Sequence, residues 1–222
     1  MQTDKSLKEI CGIILNAILP LNPTQKKIEK MTAETLLSLP IKNSPPPLKN
    51  TFSFLSYQNE LVRQSIWSLK FKNNRKIAKI FAKIIYDNLI EELADLKLTH
   101  NFDNPLLIPI PISHKKLQER GYNQTELIAQ ELNNLDKRLS FEYRKNILKK
   151  IKHTTPQSRT HSKEEREINL KNCFKVIMPK LIKDKNIILL DDVITTGATL
   201  KEAMRTLKKY KPKQIICVTV AH

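Results

Sequence analysis

Glycine is scarce in this chain, with three in 222 residues. Neither Gly-x-x-x-x-Gly-Lys-Ser/Thr nor Gly-x-Gly-x-x-Gly occurs, which excludes the two commonest phosphate loops. Cysteine is equally scarce. Cys11, Cys173 and Cys217 stand far apart, with no Cys-x-x-Cys pair and no Cys/His grouping at ligand spacing, so neither a zinc site nor a disulfide framework is expected. Cys11 and Cys217 lie in apolar runs and read as core thiols, in keeping with a reducing, cytoplasmic location. No run approaches the ~20 apolar residues of a membrane span. The N-terminal apolar run ends without a small-residue cleavage site, so no signal peptide is expected. Acid is also short: 39 Lys and Arg face 22 Asp and Glu, a net charge of +17. Such a balance suits nucleic acid, an anionic membrane surface or a phosphorylated ligand, and equally a Lys-rich solvated surface.

What the chain does have is concentrated in residues 186–199. Ile187 to Leu190 read as a buried parallel strand, and Asp191 and Asp192 follow where that strand is expected to end. Next come Thr195, Thr196, Gly197, Ala198 and Thr199, and then a helix through about Tyr210, with Thr199 and Glu202 spaced as a capping box. In open α/β sheets ligands bind at the carboxyl ends of strands, and helix N-termini attract phosphate. Gly197 lets the backbone approach a phosphate, and the threonine hydroxyls add donors. Two adjacent acids can accept hydrogen bonds from the vicinal diol of a ribose. Acids for the sugar followed by a phosphate cradle describe a site for a ribose 5-phosphate. A phosphatase or kinase built on the acid pair fits less well. Haloacid-type phosphatases use alternating acids, and a kinase phosphate loop is absent.

Along the chain, residues 4–19 read as an amphipathic helix suited to packing or to homo-oligomer formation, and 20–50 as a proline-punctuated segment with a short helix over 24–38. A strand is expected from Thr51 to Tyr57, a helix from Glu60 to Phe71 and a longer one over 76–95. Trp67 with Lys70, Lys72, Arg75 and Lys76 reads either as a nucleic-acid patch or as a solvated turn beside a core tryptophan. Pro105 to Pro111 is a buried strand, 112–123 a donor-rich loop, and 124–135 a helix starting at Asn123. Lys115, Lys116 and Arg120 in that loop are candidates for a second anion site. Another strand is expected over 145–152, then a mobile polar loop holding Arg159 and His161, a helix from 163, and a final strand from Gln214 to Ala221. His114 and His161 are lone histidines in polar loops. Alternation of this kind predicts an α/β fold with a doubly wound, mostly parallel sheet over 51–222, and a small helical appendage over 1–50.

The strand, the acid pair and Thr195-Thr-Gly-Ala-Thr199 resemble the phosphoribosyl pyrophosphate (PRPP) signature of type I phosphoribosyltransferases. Four pieces further resemble the ComF family of competence-associated, phosphoribosyltransferase-like proteins. They are Trp67-Ser-Leu-Lys-Phe-Lys72, Ile108-Pro-Ile-Pro-Ile112 running into Glu119-Arg-Gly-Tyr-Asn-Gln124, Thr155-Pro-Gln-Ser-Arg159 with its Ser162-to-Asn169 helix, and the PRPP signature. The resemblance implies that Asp191 and Asp192 hold the ribose and that residues 195–199 hold the 5-phosphate. It implies PRPP and magnesium as ligands, a transferase reaction, and a role in uptake of transforming DNA. The rival expectation is a protein that handles single-stranded DNA and keeps the fold as a scaffold. This chain departs from the family in lacking the usual N-terminal zinc-ribbon cysteines. It also departs from the purine-salvage enzymes, which carry an acid where Thr195 stands and often a lysine where Ala198 stands. A general base for a 6-oxopurine is therefore missing.

Overall fold

The computed structural model describes residues 28, 31–39, 45–152 and 170–222. The helix expected over 4–19, the loop bearing Arg159 and His161, and the helix expected from 163 lie outside the described residues, Leu170 apart.

A five-stranded, all-parallel sheet runs β1 (Thr51–Leu55), β7 (Gln214–Ala221), β6 (Asn186–Val193), β2 (Leu106–Pro109), β3 (Glu142–Tyr143). The central strands are apolar on both sides, as a sheet covered on both faces requires. Ile187, Ile188, Leu189 and Leu190 are all fully buried. Ile188, Leu190, Val218 and Val220 pack against α1 (Ala33–Leu37), α2 (Glu60–Lys72), α3 (Arg75–His100) and α5 (Gln124–Leu135). Ile187, Leu189, Ile215 and Cys217 face the other way, towards α6 (Ala198–Lys208) and a small antiparallel pair, β4 (Leu148–Lys150) with β5 (Phe174–Val176). The doubly wound α/β architecture read from the sequence is therefore the fold. Ile28, Met31 and Leu36 join the first of these cores. Among the described residues, no helix is long and apolar enough to cross a membrane.

Three expectations change. Residues 112–123 are not a loop: they contain α4 (His114–Arg120), which starts on the Ser113 side chain accepting from the Lys116 N–H and stops at Gly121 with φ 76°. The strand expected over 145–152 shortens to β4 and leaves the main sheet, whose edge is taken by the unexpected β3. Helix α3 runs past residue 95 to His100, and Asn101 at φ 52° ends it. With glycine so rare, asparagine takes the left-handed positions: Asn50, Asn73, Asn101, Asn104, Asn146 and Asn172 all have positive φ. Asparagine tolerates that region because its short amide bonds to the local backbone.

Phe81 in α3 is fully buried in the larger core. Phe81→Ala is expected to destabilise the fold by about 3–5 kcal/mol through lost burial and the cavity left behind, measured as a shift in the urea midpoint.

Candidate ribose-phosphate site

Strand β6 does not stop before its acids. The ladder continues through them, with Asp191 opposite Thr219 and Val193 opposite Ala221. Successive side chains of a strand leave towards opposite faces, yet the two carboxyls at this strand end stay within each other's electrostatic reach. Asp191 follows Leu189 towards α6 and the β4–β5 pair, whereas Asp192 follows Leu190 towards α2. Both are buried, at 9% and 4% exposure. Asp191 Oδ1 accepts the backbone N–H of Asp192 at 2.9 Å.

Lysines approach the acid pair from both cover layers, and Lys70 acts on both acids. Lys70 Nζ, from the last turn of α2, stands 2.6 Å from Asp192 Oδ2. Burial works to lower the Lys70 pKa, but the charges of Asp192 and Asp191 outweigh it and the net shift is upward. On the other side Lys150 of β4 lies within electrostatic reach of Asp191, and its side chain reaches over the Phe174 ring at 5.6 Å. Burial lowers the Lys150 pKa. Lys116 of α4 is half-buried, and burial together with the charges of Lys150, Arg120 and Lys70 lowers its pKa. Lys115 beside it points to solvent. Arg120 lies over the Phe71 ring at 4.7 Å and donates to Gln124 Oε1 at 3.1 Å.

The turn after β6 carries Thr195, Thr196 and Gly197. Gly197 has φ 74° and stands as the N-cap of α6 without a side-chain bond. The expected capping box is not formed. Glu202 instead accepts the Asn172 N–H at 2.7 Å and pairs with Arg205, tying α6 to the chain that enters β5. A cavity of about 10 Å³ lies within the turn, lined by Asp191, Val193, Ile194, Thr195, Gly197, Ala198, Thr199 and Leu200. That is room for roughly one water. The Ala198 N–H is already directed at Thr196 Oγ1 at 3.4 Å. A larger opening of about 330 Å³ adjoins the turn, bounded by Pro45, Pro47, Tyr57, Gln58, Ile194, Thr195 and His222.

The residues singled out from the sequence thus fall into two groups. Asp191, Asp192, Lys116 and the 195–199 turn converge at the carboxyl ends of β2 and β6. Lys115 does not turn inward. Lys70 stands beside the acid pair rather than in a solvated basic patch, and Lys150, which the sequence marks only as part of a basic 149–152 cluster suited to single-stranded DNA, lies within electrostatic reach of Asp191. Trp67 is not a core residue: it is 45% exposed, stacked at 5.5 Å on Phe71, with Lys72 over its ring.

Burial and the charge of Asp192 push the Asp191 carboxyl up to about 8. A carboxyl raised in this way binds a proton in the folded state that the unfolded chain has already released. Stability is therefore lost as pH rises from about 4 towards 8. Asp191→Asn is expected to stabilise the ligand-free protein by more than about 1 kcal/mol at pH 8 and by much less at pH 5, read from urea unfolding at the two pH values.

The phosphoribosyl transferase domain family matches residues 118–222. Competence protein F of Haemophilus influenzae is 36% identical over 152 residues, covering 68% of this chain and 63% of that protein. DNA utilization protein YhgH of Escherichia coli K12 is 26% identical over 164 residues, covering 73% and 67%. Competence protein ComFC of Bacillus subtilis is 28% identical over 160 residues, covering 72% and 58%. The chain therefore spans just under two thirds of the Haemophilus relative's length. With the acid pair and Thr-Gly turn set at the end of a central parallel strand, and with relatives of this kind, the chain belongs to the ComF family and carries a phosphoribosyltransferase domain.

Proposed function

We propose that the chain binds PRPP and transfers its phosphoribosyl group to an acceptor. One observation carries the reading: two buried carboxylates stand immediately before a threonine-glycine turn, with Lys70, Lys116 and Lys150 gathered about them. Asp191 and Asp192 accept hydrogen bonds from the ribose hydroxyls. The 5-phosphate lies on the outer rim of the turn formed by Thr195, Thr196, Gly197, Ala198 and Thr199, because the cavity inside it is too small. Lys116 and Arg120, with Lys115 at the rim, neutralise the pyrophosphate. Arg159 and His161, outside the described residues, stay as candidates for contact with the ligand. In the transfer, the acceptor bonds to C1 of the ribose while the bond from C1 to the pyrophosphate oxygen breaks, its electron pair leaving with pyrophosphate. Positioned cations lower the cost of that departing charge, and exclusion of water protects the reactive carbon.

Magnesium bound with PRPP supplies further neutralisation of the leaving group. Its donors are oxygens, and the two carboxylates suit a hard cation that keeps most of its ligands from phosphate and water. No cluster of three or more His, Cys, Asp and Glu side chains is present among the described residues, so the ligand would bring most of the donors. The opening beside Thr195 is the place for the acceptor, with Tyr57, Gln58 and His222 on its wall. Thr195 offers no proton-accepting carboxylate there, so the acceptor needs little help in losing a proton.

A second reading follows from the exposed aromatic pair. Trp67 and Phe71 stand side by side in solvent with Lys72 and Arg120 over their faces. Single-stranded nucleic acid binds to such surfaces through base stacking and cations along the backbone. The relatives are named for competence and DNA utilization, and we extend a DNA-handling role, on the cytoplasmic side, to this chain.

Two outcomes are expected. PRPP with magnesium raises the melting temperature of the parent, a stabilisation of about 2.7 kcal/mol at a hundredfold excess over Kd. Asp191→Asn/Asp192→Asn abolishes the shift. So does Gly197→Val, because φ is 74° there, although an added Cβ would meet Ile194 Cδ1 and Leu48 Cβ only at an ordinary 3.5 Å. Circular dichroism must first establish that both variants fold, and no shift in the parent at millimolar PRPP sinks the reading. For DNA, fluorescence anisotropy with a labelled oligonucleotide is expected to show binding that falls steeply with salt and weakens by about 1–3 kcal/mol in Trp67→Ala. Binding insensitive to salt or to Trp67 argues against it.

A further inference from the structure

The last turn of α2, where Lys70 sits, is fastened from outside the helix. The Tyr122 hydroxyl donates to the Leu69 carbonyl at 2.8 Å and accepts the Asn73 N–H, also at 2.8 Å. Late carbonyls of a helix lack an intrahelical partner, so a phenol supplied there fixes where the turn stops. The two bonds fall on either side of Lys70. Tyr122 is itself held in place. Gly121, at φ 76°, turns the chain out of α4. The Asn123 side chain donates to the Ile110 carbonyl at 3.1 Å and accepts the Thr125 N–H at 3.2 Å. The Ile110 N–H donates to the carbonyl of Leu190, the residue before the acid pair, at 2.8 Å. A closed circuit results, from β6 through Ile110, Asn123 and Tyr122 to α2, and back to β6 through Lys70 and Asp192.

The circuit matters because adjacent buried carboxylates cannot both stay ionised without a cation. Lys70 supplies one on Asp192 Oδ2. We propose that Lys70 is the positioning residue of the acid pair, holding the Asp192 carboxyl group in place and aimed at the ribose, and that Tyr122 sets where Lys70 stands. The proposal rests on the PRPP reading of the site. It also gives the Trp67-to-Lys72 and Glu119-to-Gln124 segments one shared task.

Titration calorimetry of the full chain with ribose 5-phosphate and, separately, with inorganic phosphate tests it. Lys70→Met is expected to weaken ribose 5-phosphate binding by about tenfold or more, the worth of a charge-assisted hydrogen bond. Lys70→Arg restores most of the loss. Affinity for inorganic phosphate, which has no ribose hydroxyl to place on the acid pair, stays unchanged in both variants, whereas a general structural defect would lower it too. Tyr122→Phe, which leaves both partners of the ion pair in place, weakens ribose 5-phosphate binding several-fold. A Lys70→Met protein that binds ribose 5-phosphate as tightly as the parent overturns the proposal, as does a Lys70→Arg protein no better than Lys70→Met. If Lys70→Met does not fold, unchanged affinity in Tyr122→Phe overturns it instead. A parent that binds neither ribose 5-phosphate nor PRPP removes the site reading itself, an outcome distinct from a binding parent with indifferent variants.

Discussion

Two carboxylates side by side on a buried central strand repel one another and resist losing water, and the architecture around β6 answers that constraint. The pleat separates them onto opposite faces of the sheet. Asp192 receives Lys70 from the helical layer, and Asp191 comes within reach of Lys150 from the small β4–β5 pair. Both cover layers thereby contribute to one site. The small pair brings Lys150 to the same end of the sheet, within electrostatic reach of Asp191.

The same constraint accounts for the basic side chains near the strand ends. Lys116 has a lowered pKa because burial and the charges of Lys150, Arg120 and Lys70 surround it. Cations held close together against one another's repulsion are poised for a polyanion, since a bound phosphate relieves a cost the ligand-free fold already carries. The bulk charge of +17 could not have located this, because most of the lysines lie on solvated surfaces.

Much of the architecture was legible in the sequence, wherever apolar periodicity and turn chemistry agree. The run Ile187 to Leu190, the strand Gln214–Ala221 and the helix Gln124–Leu135 capped by Asn123 all stand where their patterns place them. Helix α4 was not legible, because His114–Arg120 contains Leu117 as its one apolar residue and that side chain is 41% exposed. The Thr199–Glu202 capping box failed because Gly197, in a left-handed conformation, takes the cap and frees Glu202 for Asn172 and Arg205. Lys70 was hidden inside a basic run, yet a signal was there. It lies one helical step from Ile66 on the stripe of Val62, Ile66 and Leu69, and a charge on a buried stripe needs a partner. Lys150 had no comparable mark, since its strand is short and its partner acid lies on another sheet.

The strand order β1-β7-β6-β2-β3 has a consequence for synthesis. Two strands in the interior of the sheet, β6 and β7, come late in the chain relative to β1 and β2, which have no neighbour between them until β6 and β7 arrive. Until residues 186–221 emerge, the apolar faces of α2, α3 and α5 have no sheet on which to close. Folding is thus dominated by contacts between distant parts of the chain, which makes it slow for a domain of this size. A chain that stops anywhere before β6 lacks both the strand that joins the two halves of the sheet and the two acids, and so has no site.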